Sequence, residues 1–102
     1  MASSKEYFNY ITEQLNGLED VSYRAMMGEY IIYYKGRVAG GIYDDRLLVK
    51  AVNAAVSYMA DIAYEKPYEG GRDMLLVDNV DDREYLHGLF RAMYPELTEP
   101  KK

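Results

Sequence analysis

The spacing of apolar residues near the amino terminus is helical. Phe8, Ile11 and Leu15 recur at the spacing of one helix face. Ser3, with a glutamate three residues later, fits a capping box, in which the two side chains satisfy free amides at a helix start. The pattern predicts an amphipathic helix over about residues 4–16.

After this helix the apolar pattern changes to the alternation of a strand. Tyr30, Ile32 and Tyr34 fall on one face, and Ile31 and Tyr33 fall on the other. One set of rings can enter a core, where a phenol reaches a partner at the edge. The other set must face water or a second subunit, and the second choice is favoured because tyrosine is enriched at interfaces.

Short connections around this strand give it antiparallel neighbours. A Lys-Gly pair at 35–36 and an Asp-Asp pair at 44–45 are typical of tight turns, so they predict three antiparallel strands. The segment 21–27 is interpreted as a short lead-in strand that a bulge or bend breaks at Gly28. The glycine pair at 40–41 lies inside a strand and indicates close approach of a helix or backbone, or a bulge.

The following segment predicts a short helix and a hairpin. Asn53 is placed to cap a helix that runs through Met59, with Val56 on its apolar side. The hairpin has its turn at 70–71. Pro67 places one hairpin strand at a sheet edge, because proline has no amide to donate.

The final helix is marked at both ends. Asp81, with a glutamate three residues later, makes a second capping box, and Pro95 stops the helix. Its apolar face is formed by Leu86, Leu89, Phe90 and Met93.

The order α-β-β-β-α-β-β-α predicts a two-layer α+β fold with an antiparallel sheet, since helices with a single apolar face must bury it. We expect one domain over residues 1–102, with a disordered tail at 97–102.

Composition and charge narrow the class of function. The 102-residue chain has no cysteine, and 12 Lys and Arg against 17 Asp and Glu give a formal net charge of −5. Nucleic-acid-binding proteins usually have the opposite sign, because phosphate contacts supply much of the affinity. We therefore expect no direct nucleic-acid contact.

No apolar run has the length of a signal peptide or a membrane span, so we expect a soluble cytoplasmic protein without membrane contact.

Candidate catalytic and metal-binding groups are few. His87 is the single histidine, and without cysteine or clustered carboxylates it does not complete a metal site, so we interpret it as a packing or surface residue. Turns and helix caps explain the acidic pairs at 19–20, 44–45 and 81–82, because adjacent carboxylates point apart. We expect no catalytic residue, no metal and no cofactor.

Arg24, Tyr30, Tyr33 and Lys50 are the candidate binding residues. An arginine fork can hold a carboxylate at two points, and Lys50 closes the third predicted strand. Two functions stay open. One is a non-enzymatic interaction module that forms a homodimer and binds a protein partner of unknown identity. The other is a small-ligand-binding domain or minor enzyme that uses Arg24 and Lys50.

The stretch SYRAMMGEYIIYYKGRVAGGIYDDRLLVK, residues 22–50, resembles the signature of the TfoX N-terminal domain family. That family occurs in bacterial competence regulators and in stand-alone short proteins. The residues that match its pattern are Arg24, Met26, Gly28, Tyr30, Tyr33, Gly36, Leu48 and Lys50. The likeness continues through YEKPYEGGRDMLLVD to the last helix. It departs from the pattern at Met27, where the family has Phe, and at Glu29 and Ile31, which replace glycines.

The resemblance implies an α+β fold like that of the secretion chaperones, often dimeric. It also implies a regulatory role in competence gene expression, in which this domain contributes to transcription control and is not an enzyme. Full-length regulators of this kind carry a second, helical domain.

Overall fold

The computed structural model describes residues 4–59 and 61–97. The helices are α1 (Lys5–Gln14), α2 (Asn53–Tyr58) and α3 (Arg83–Met93), and a 3₁₀ turn (Tyr94–Glu96) follows α3. The strands are β1 (Val21–Met26), β2 (Glu29–Tyr34), β3 (Arg37–Ile42), β4 (Leu47–Val49), β5 (Tyr64–Glu65) and β6 (Met74–Val77). Within the described ranges, no helix combines the length and the apolar character needed to cross a membrane.

The strands form one antiparallel sheet in the order β1-β2-β3-β4-β6-β5. Successive hairpins join β1 to β4, while α2 and β5 come between β4 and β6 along the chain. The core cluster contains residues from all three helices, and its strand residues belong to one side of the sheet. The predicted two-layer α+β fold with an antiparallel sheet is confirmed. The likeness to secretion chaperones stays a prediction.

The segment 21–27, predicted as a broken lead-in strand, is instead a full neighbour of β2. β1 pairs with β2 along all six of its residues. The predicted bulge or bend at Gly28 is a hairpin turn. The chain therefore has four consecutive strands after α1, one more than the predicted order counted.

Three tight turns connect these four strands. Both central residues of each turn have positive φ: 52° and 85° at 27–28, 53° and 82° at 35–36, and 53° and 56° at 44–45. Two successive residues of positive φ are the geometry of a type I′ turn, whose twist matches that of the strands it joins. The predicted turns at 35–36 and 44–45 are confirmed. At 44–45 both residues are aspartate, one of the few side chains that tolerate this region.

The glycine pair at 40–41 explains how β3 fits between its neighbours. β3 has a bulge at Ala39, which has no opposite residue on β2. A Cβ atom on Gly40 would lie 2.8 Å from Cα of Val49 on β4, and one on Gly41 would lie 2.6 Å from the carbonyl oxygen of Tyr30 on β2. Both predicted explanations, a bulge and close backbone approach, are confirmed.

The core lies between the sheet and the helices. Tyr30, Ile32 and Tyr34 share one face, as the alternation predicts, and this face is turned to the helices, with Ile32 and Tyr34 almost fully buried. The predicted apolar face of the final helix is also buried: Leu86, Leu89, Phe90 and Met93. Each large side chain buried in this way stabilises the fold by roughly 2 kcal/mol. This burial fixes which side of the sheet the helices cover.

Two predicted helix caps are each displaced by one residue. The Oγ atom of Ser4 accepts a hydrogen bond from the amide three residues later and caps α1, while Ser3 lies outside the described residues. Asp82, rather than Asp81, caps α3 in the same way. In both cases the sequence offers two adjacent residues of the same type. In each pair the second residue is the cap.

The prediction for α2 was wrong in two respects. Asn53 is the first residue of the helix and not its cap, and Val52 at the cap position makes no side-chain hydrogen bond. Glu96 replaces the cap, because its Oε1 atom accepts a hydrogen bond of 2.7 Å from the second amide of the helix. Ala55 faces the core, whereas Val56 is exposed. A partner distant in sequence therefore fixes this helix.

The predicted tail begins too early. Leu97 is buried, and its carbonyl oxygen accepts a hydrogen bond of 3.2 Å from Nη1 of Arg37. Residues 98–102, the rest of the predicted tail, lie outside the described residues.

Glu19 joins the β2–β3 turn to α3. Its Oε2 atom accepts a hydrogen bond of 3.1 Å from the Tyr34 hydroxyl and lies 3.6 Å from Nζ of Lys35, while Oε1 lies 3.3 Å from Nη2 of Arg91. A hydrogen bond from its own backbone amide, followed by those from Arg91 and Tyr34, lowers the pKa of Glu19 to about 2. The folded state is therefore stabilised by the ionised form of the Glu19 carboxylate.

We expect Gly40→Ala to destabilise the protein by about 3 kcal/mol, because the added methyl group overlaps the backbone of β4, which cannot move away alone. Denaturant unfolding followed by circular dichroism measures the change. The matched control is Gly88→Ala on α3, where the new methyl group meets the hydroxyl end of the partly exposed Tyr58 side chain rather than backbone, so the ring can turn aside. That variant should stay within about 1 kcal/mol of the wild type. Equal stability of the two variants would contradict the close approach of β3 and β4.

We expect Glu19→Gln to be less stable than the wild type at pH 7. The folded-state pKa of about 2 lies below the ordinary value of 4.5, so the contribution is complete above pH 4.5 and is lost as the pH falls towards 2. The difference in unfolding free energy between the two proteins should therefore shrink over that interval. Unfolding curves at several pH values measure it, with Glu13→Gln on the exposed surface of α1 as the control. A difference that does not change with pH would contradict this assignment.

Candidate functional site on the outer face of the sheet

The side of the sheet turned away from the helices is here called the outer face. One row of residues in register crosses it from β1 to β6: Arg24, Ile31, Gly41, Leu48 and Leu76. Arg24 at one end of the row is exposed. Leu48 is completely buried although it does not belong to the helix-side core. The outer face is therefore open over β1 and covered over β4.

Three of the four candidate binding residues lie on this outer face. Arg24 is exposed on β1, and Tyr33 and Lys50 are half-buried near the ends of β2 and β4. Tyr30 lies on the opposite side, where its ring stacks on Phe8 with the centroids 3.9 Å apart and the planes at 22°. The Tyr30 ring is thus part of the contact between α1 and the sheet.

Arg24 and Lys50 are not neighbours. Arg24 shares its row with Leu48, and Lys50 lies two residues beyond Leu48 on the chain. Three strand spacings and this offset separate the two backbone positions by roughly 15 Å. The two groups therefore do not form one site at the level of the backbone.

A pocket on the outer face contains Lys50 but not Arg24. It has a volume of about 640 Å³ and opens between the ends of β3 and β4 and the loop at 66–73. Its polar and aromatic lining includes Tyr43, Lys50, Tyr68 and Arg72. A volume of this size is within the range of small-molecule sites.

The loop at 66–73 forms one wall of the pocket and is fixed by local contacts. The amide of Gly71 donates a hydrogen bond of 3.0 Å to the carbonyl oxygen of Tyr68. Nζ of Lys66 lies 3.0 Å from the Asp73 carboxylate. Pro67 belongs to this loop and is buried, and the strand before it, β5, lies at the sheet edge as predicted. The loop therefore has a defined shape beside the sheet.

Tyr43 forms the contact between the loop and the sheet. A Cβ atom on Gly41 would lie 2.6 Å from the Tyr43 ring, so the glycine makes room for the ring against β3. The ring also makes an edge contact with Tyr68, with 6.2 Å between centroids. Burial, and after it the neighbouring phenol of Tyr68, raises the pKa of Tyr43. The Tyr43 hydroxyl is therefore protonated at neutral pH.

The charge of the pocket is positive. Neither Lys50 nor Arg72 has an ion-pair partner within residues 4–59 and 61–97. Asp73 is the one acidic residue among the described residues that line the pocket, and it pairs with Lys66 on the loop itself. The sign is opposite to the net charge of the whole chain, −5. The pocket therefore presents two cations to anything that enters it.

Sequence reasoning identified Lys50 but missed Tyr43, Tyr68 and Arg72. These residues are separated along the chain, and the loop conformation brings them together. The available signal was the glycine pair at 70–71, immediately before Arg72. The pattern predicts a hairpin turn there, but both glycines also line the pocket.

The single histidine has a structural contact. His87 is half-buried, and its Nε2 atom lies 3.1 Å from the carbonyl oxygen of Gln14, which joins α3 to the end of α1. In the part of the chain that the structure describes, no three His, Cys, Asp or Glu side chains converge in a way that would hold a metal ion. The candidate side chains on the outer face are cations, phenols and apolar groups.

Comparisons with known proteins agree with the sequence signature. The model of the TfoX N-terminal domain family matches residues 13–89. A curated relative, described as an uncharacterized 12.7 kDa protein in the trpE 5′ region of Spirochaeta aurantia, is 28% identical over 102 residues. The alignment covers 99% of this chain and 89% of the relative. No solved structure matches the chain.

Proposed function

The chain belongs to the TfoX N-terminal domain family, and on that basis we propose that it is a non-enzymatic, cytoplasmic interaction module with a regulatory role related to bacterial competence. The match at 13–89 spans all six strands and most of α3. It therefore includes the whole outer face, which is the surface that the proposal assigns to partners.

The observation that carries the proposal is the open part of the outer face. All three helices pack on the other side, and on β1 both Arg24 and Met26 are exposed. Ile31 and Tyr33 continue this surface on β2. Apolar and phenolic side chains of this kind are enriched where proteins contact each other, so they favour a protein partner at this surface.

We assign a second copy of the chain to this surface. In a two-fold symmetric dimer each residue meets residues of the same patch, so the patch must complement itself. Arg24 and Glu29 place charges of both signs around the apolar residues of β1 and β2. A two-fold axis between copies can therefore bring unlike charges together. A further protein partner, through which a regulatory effect would act, binds the resulting dimer.

We expect Tyr33→Asp to separate the dimer while the monomer stays folded. A carboxylate buried at the interface without a partner costs several kcal/mol, which corresponds to dimerisation weaker by a factor of about one hundred or more. Sedimentation of the wild type and the variant at about 50 µM measures the change, since assembly depends on protomer concentration.

The control for this experiment is Tyr64→Asp. Tyr64 is 57% exposed and pairs with Leu75, so it lies on the helix side at the far edge of the sheet. This variant should sediment like the wild type. A monomeric wild type, or a Tyr33→Asp protein that still dimerises, would overturn the assignment of the interface. Circular dichroism checks that the monomer is folded.

We expect no direct binding of DNA. Counterion release from phosphate contacts requires a cationic surface, and the chain has a net charge of −5. An electrophoretic mobility assay at low salt, with protein up to about 100 µM, covers the range of weak non-specific binding. Retardation of a duplex that weakens steeply as salt is added would instead assign direct nucleic-acid binding to this domain.

A further inference from the structure

We propose that the pocket between β3, β4 and the loop at 66–73 binds a small organic anion, with Lys50 and Arg72 holding its carboxylate or phosphate group. Tyr43 and Tyr68 hold its apolar or aromatic body. This inference does not rest on the interaction role proposed above. It assigns a ligand to a different part of the outer face, away from Arg24.

The first support is the isolation of the two cations. Some cationic side chains in the described part of the chain pair with carboxylates, as Lys66 does with Asp73 and Arg46 does with Glu65. Lys50 and Arg72 both line the pocket, and neither has such a partner among the residues that the structure describes. Bound anions supply what is missing, because charge-assisted hydrogen bonds to carboxylate or phosphate are the strong ones.

The second support is the shape and lining of the pocket. Its volume of about 640 Å³ is large enough for a small metabolite and larger than one ion needs. The rings of Tyr43 and Tyr68 meet edge to face on one side of it, and such rings contact apolar or aromatic groups. The ligand should therefore combine an anionic group with an apolar body.

The third support is the construction of the loop wall. Gly70 has φ of +87° with open space around the position of its missing side chain, while Gly71 packs against Pro67 and Tyr68. The two glycines leave room on the pocket side of the wall. The hydrogen bond from Gly71 to Tyr68 and the ion pair between Lys66 and Asp73 lie within the loop, so the loop has internal contacts before a ligand enters.

The test uses three probes that share one ring: benzoate, phenyl phosphate and neutral benzyl alcohol. Each is titrated into the ¹⁵N-labelled chain at constant ionic strength, and amide shifts are followed by NMR. We expect both anions to bind with dissociation constants of about a millimolar. Their shifts should be concentrated at Tyr43, Lys50 and 70–72, and benzyl alcohol should bind at least about tenfold more weakly.

The relative affinity of the two anions identifies the source of the ligand. Tighter binding of benzoate indicates a carboxylate ligand, and tighter binding of phenyl phosphate indicates a phosphate ligand. Equal binding of the neutral probe would overturn the proposal, as would shifts that map outside the pocket or the absence of shifts at millimolar concentration. These readouts need no variant, so they hold even if a substitution disturbs the fold.

Matched substitutions then test the two cations. Lys50→Gln should weaken anion binding about tenfold, and the double variant Lys50→Gln/Arg72→Gln should abolish it over the measured range. Lys5→Gln removes the same charge from exposed α1 on the other side of the sheet and should leave the affinity unchanged. Retained affinity in folded Lys50→Gln protein would overturn the proposal. Dimerisation of the same samples, measured by sedimentation, reports separately on the proposed interaction role.

Discussion

Burial of one side of the sheet beneath three helices is the constraint on which the rest of the structure depends. The helix-facing positions alternate along each strand, and Ile32, Leu47 and Leu75 are completely buried there. Because strand side chains alternate, this burial also decides which residues face outward. A shift of one residue in β1 would turn Arg24 towards the core, and the same shift in β4 would turn Lys50 there. The position of every group on the outer face therefore follows from the packing on the opposite side.

The tight turns make this alternation consistent across β1 to β4. Two-residue loops fix the register between neighbouring strands, and the bulge at Ala39 is the one place in these pairs where the register changes. The two glycines that follow let β3 approach both neighbours and leave room for the Tyr43 ring on the outer face. A local backbone feature thus connects the fold to the lining of the pocket.

Much of the fold could be predicted from the sequence, because its signals are local. Alternation in β2, the apolar face of α3 and the turn residues at 35–36 each identify an element within a few positions. The errors occurred where contacts between residues distant in the sequence determine the local structure. Glu96 fixes α2 from 42 residues further along the chain, and two adjacent serines or aspartates give no local reason to choose between caps. β1 was underestimated because Gly28 indicates a bulge as readily as a turn.

The candidate site was less predictable for the same physical reason. Lys50 was identified from the sequence as a cation at a strand end. Its distance from Arg24 depends on the order of the strands in the sheet. Arg72 reaches the pocket because of the conformation of the loop at 66–73. No periodic pattern reports either fact. Tyr30 shows a related case, since alternation grouped it with Ile32 and Tyr34 but left open which group enters the core, and its ring proves to be part of the α1 contact.

The unequal lengths of the two outermost strands limit how the sheet can grow. β1 offers a backbone edge of six residues, whereas β5 has two residues and is followed at once by a proline-containing loop. Open-ended stacking of sheets into a fibril requires a usable strand at both ends of every copy. A molecule with one usable end can join at that end once, and the joined pair then presents short ends to the solvent. The geometry thus disfavours polymerisation of this tyrosine-rich α+β protein.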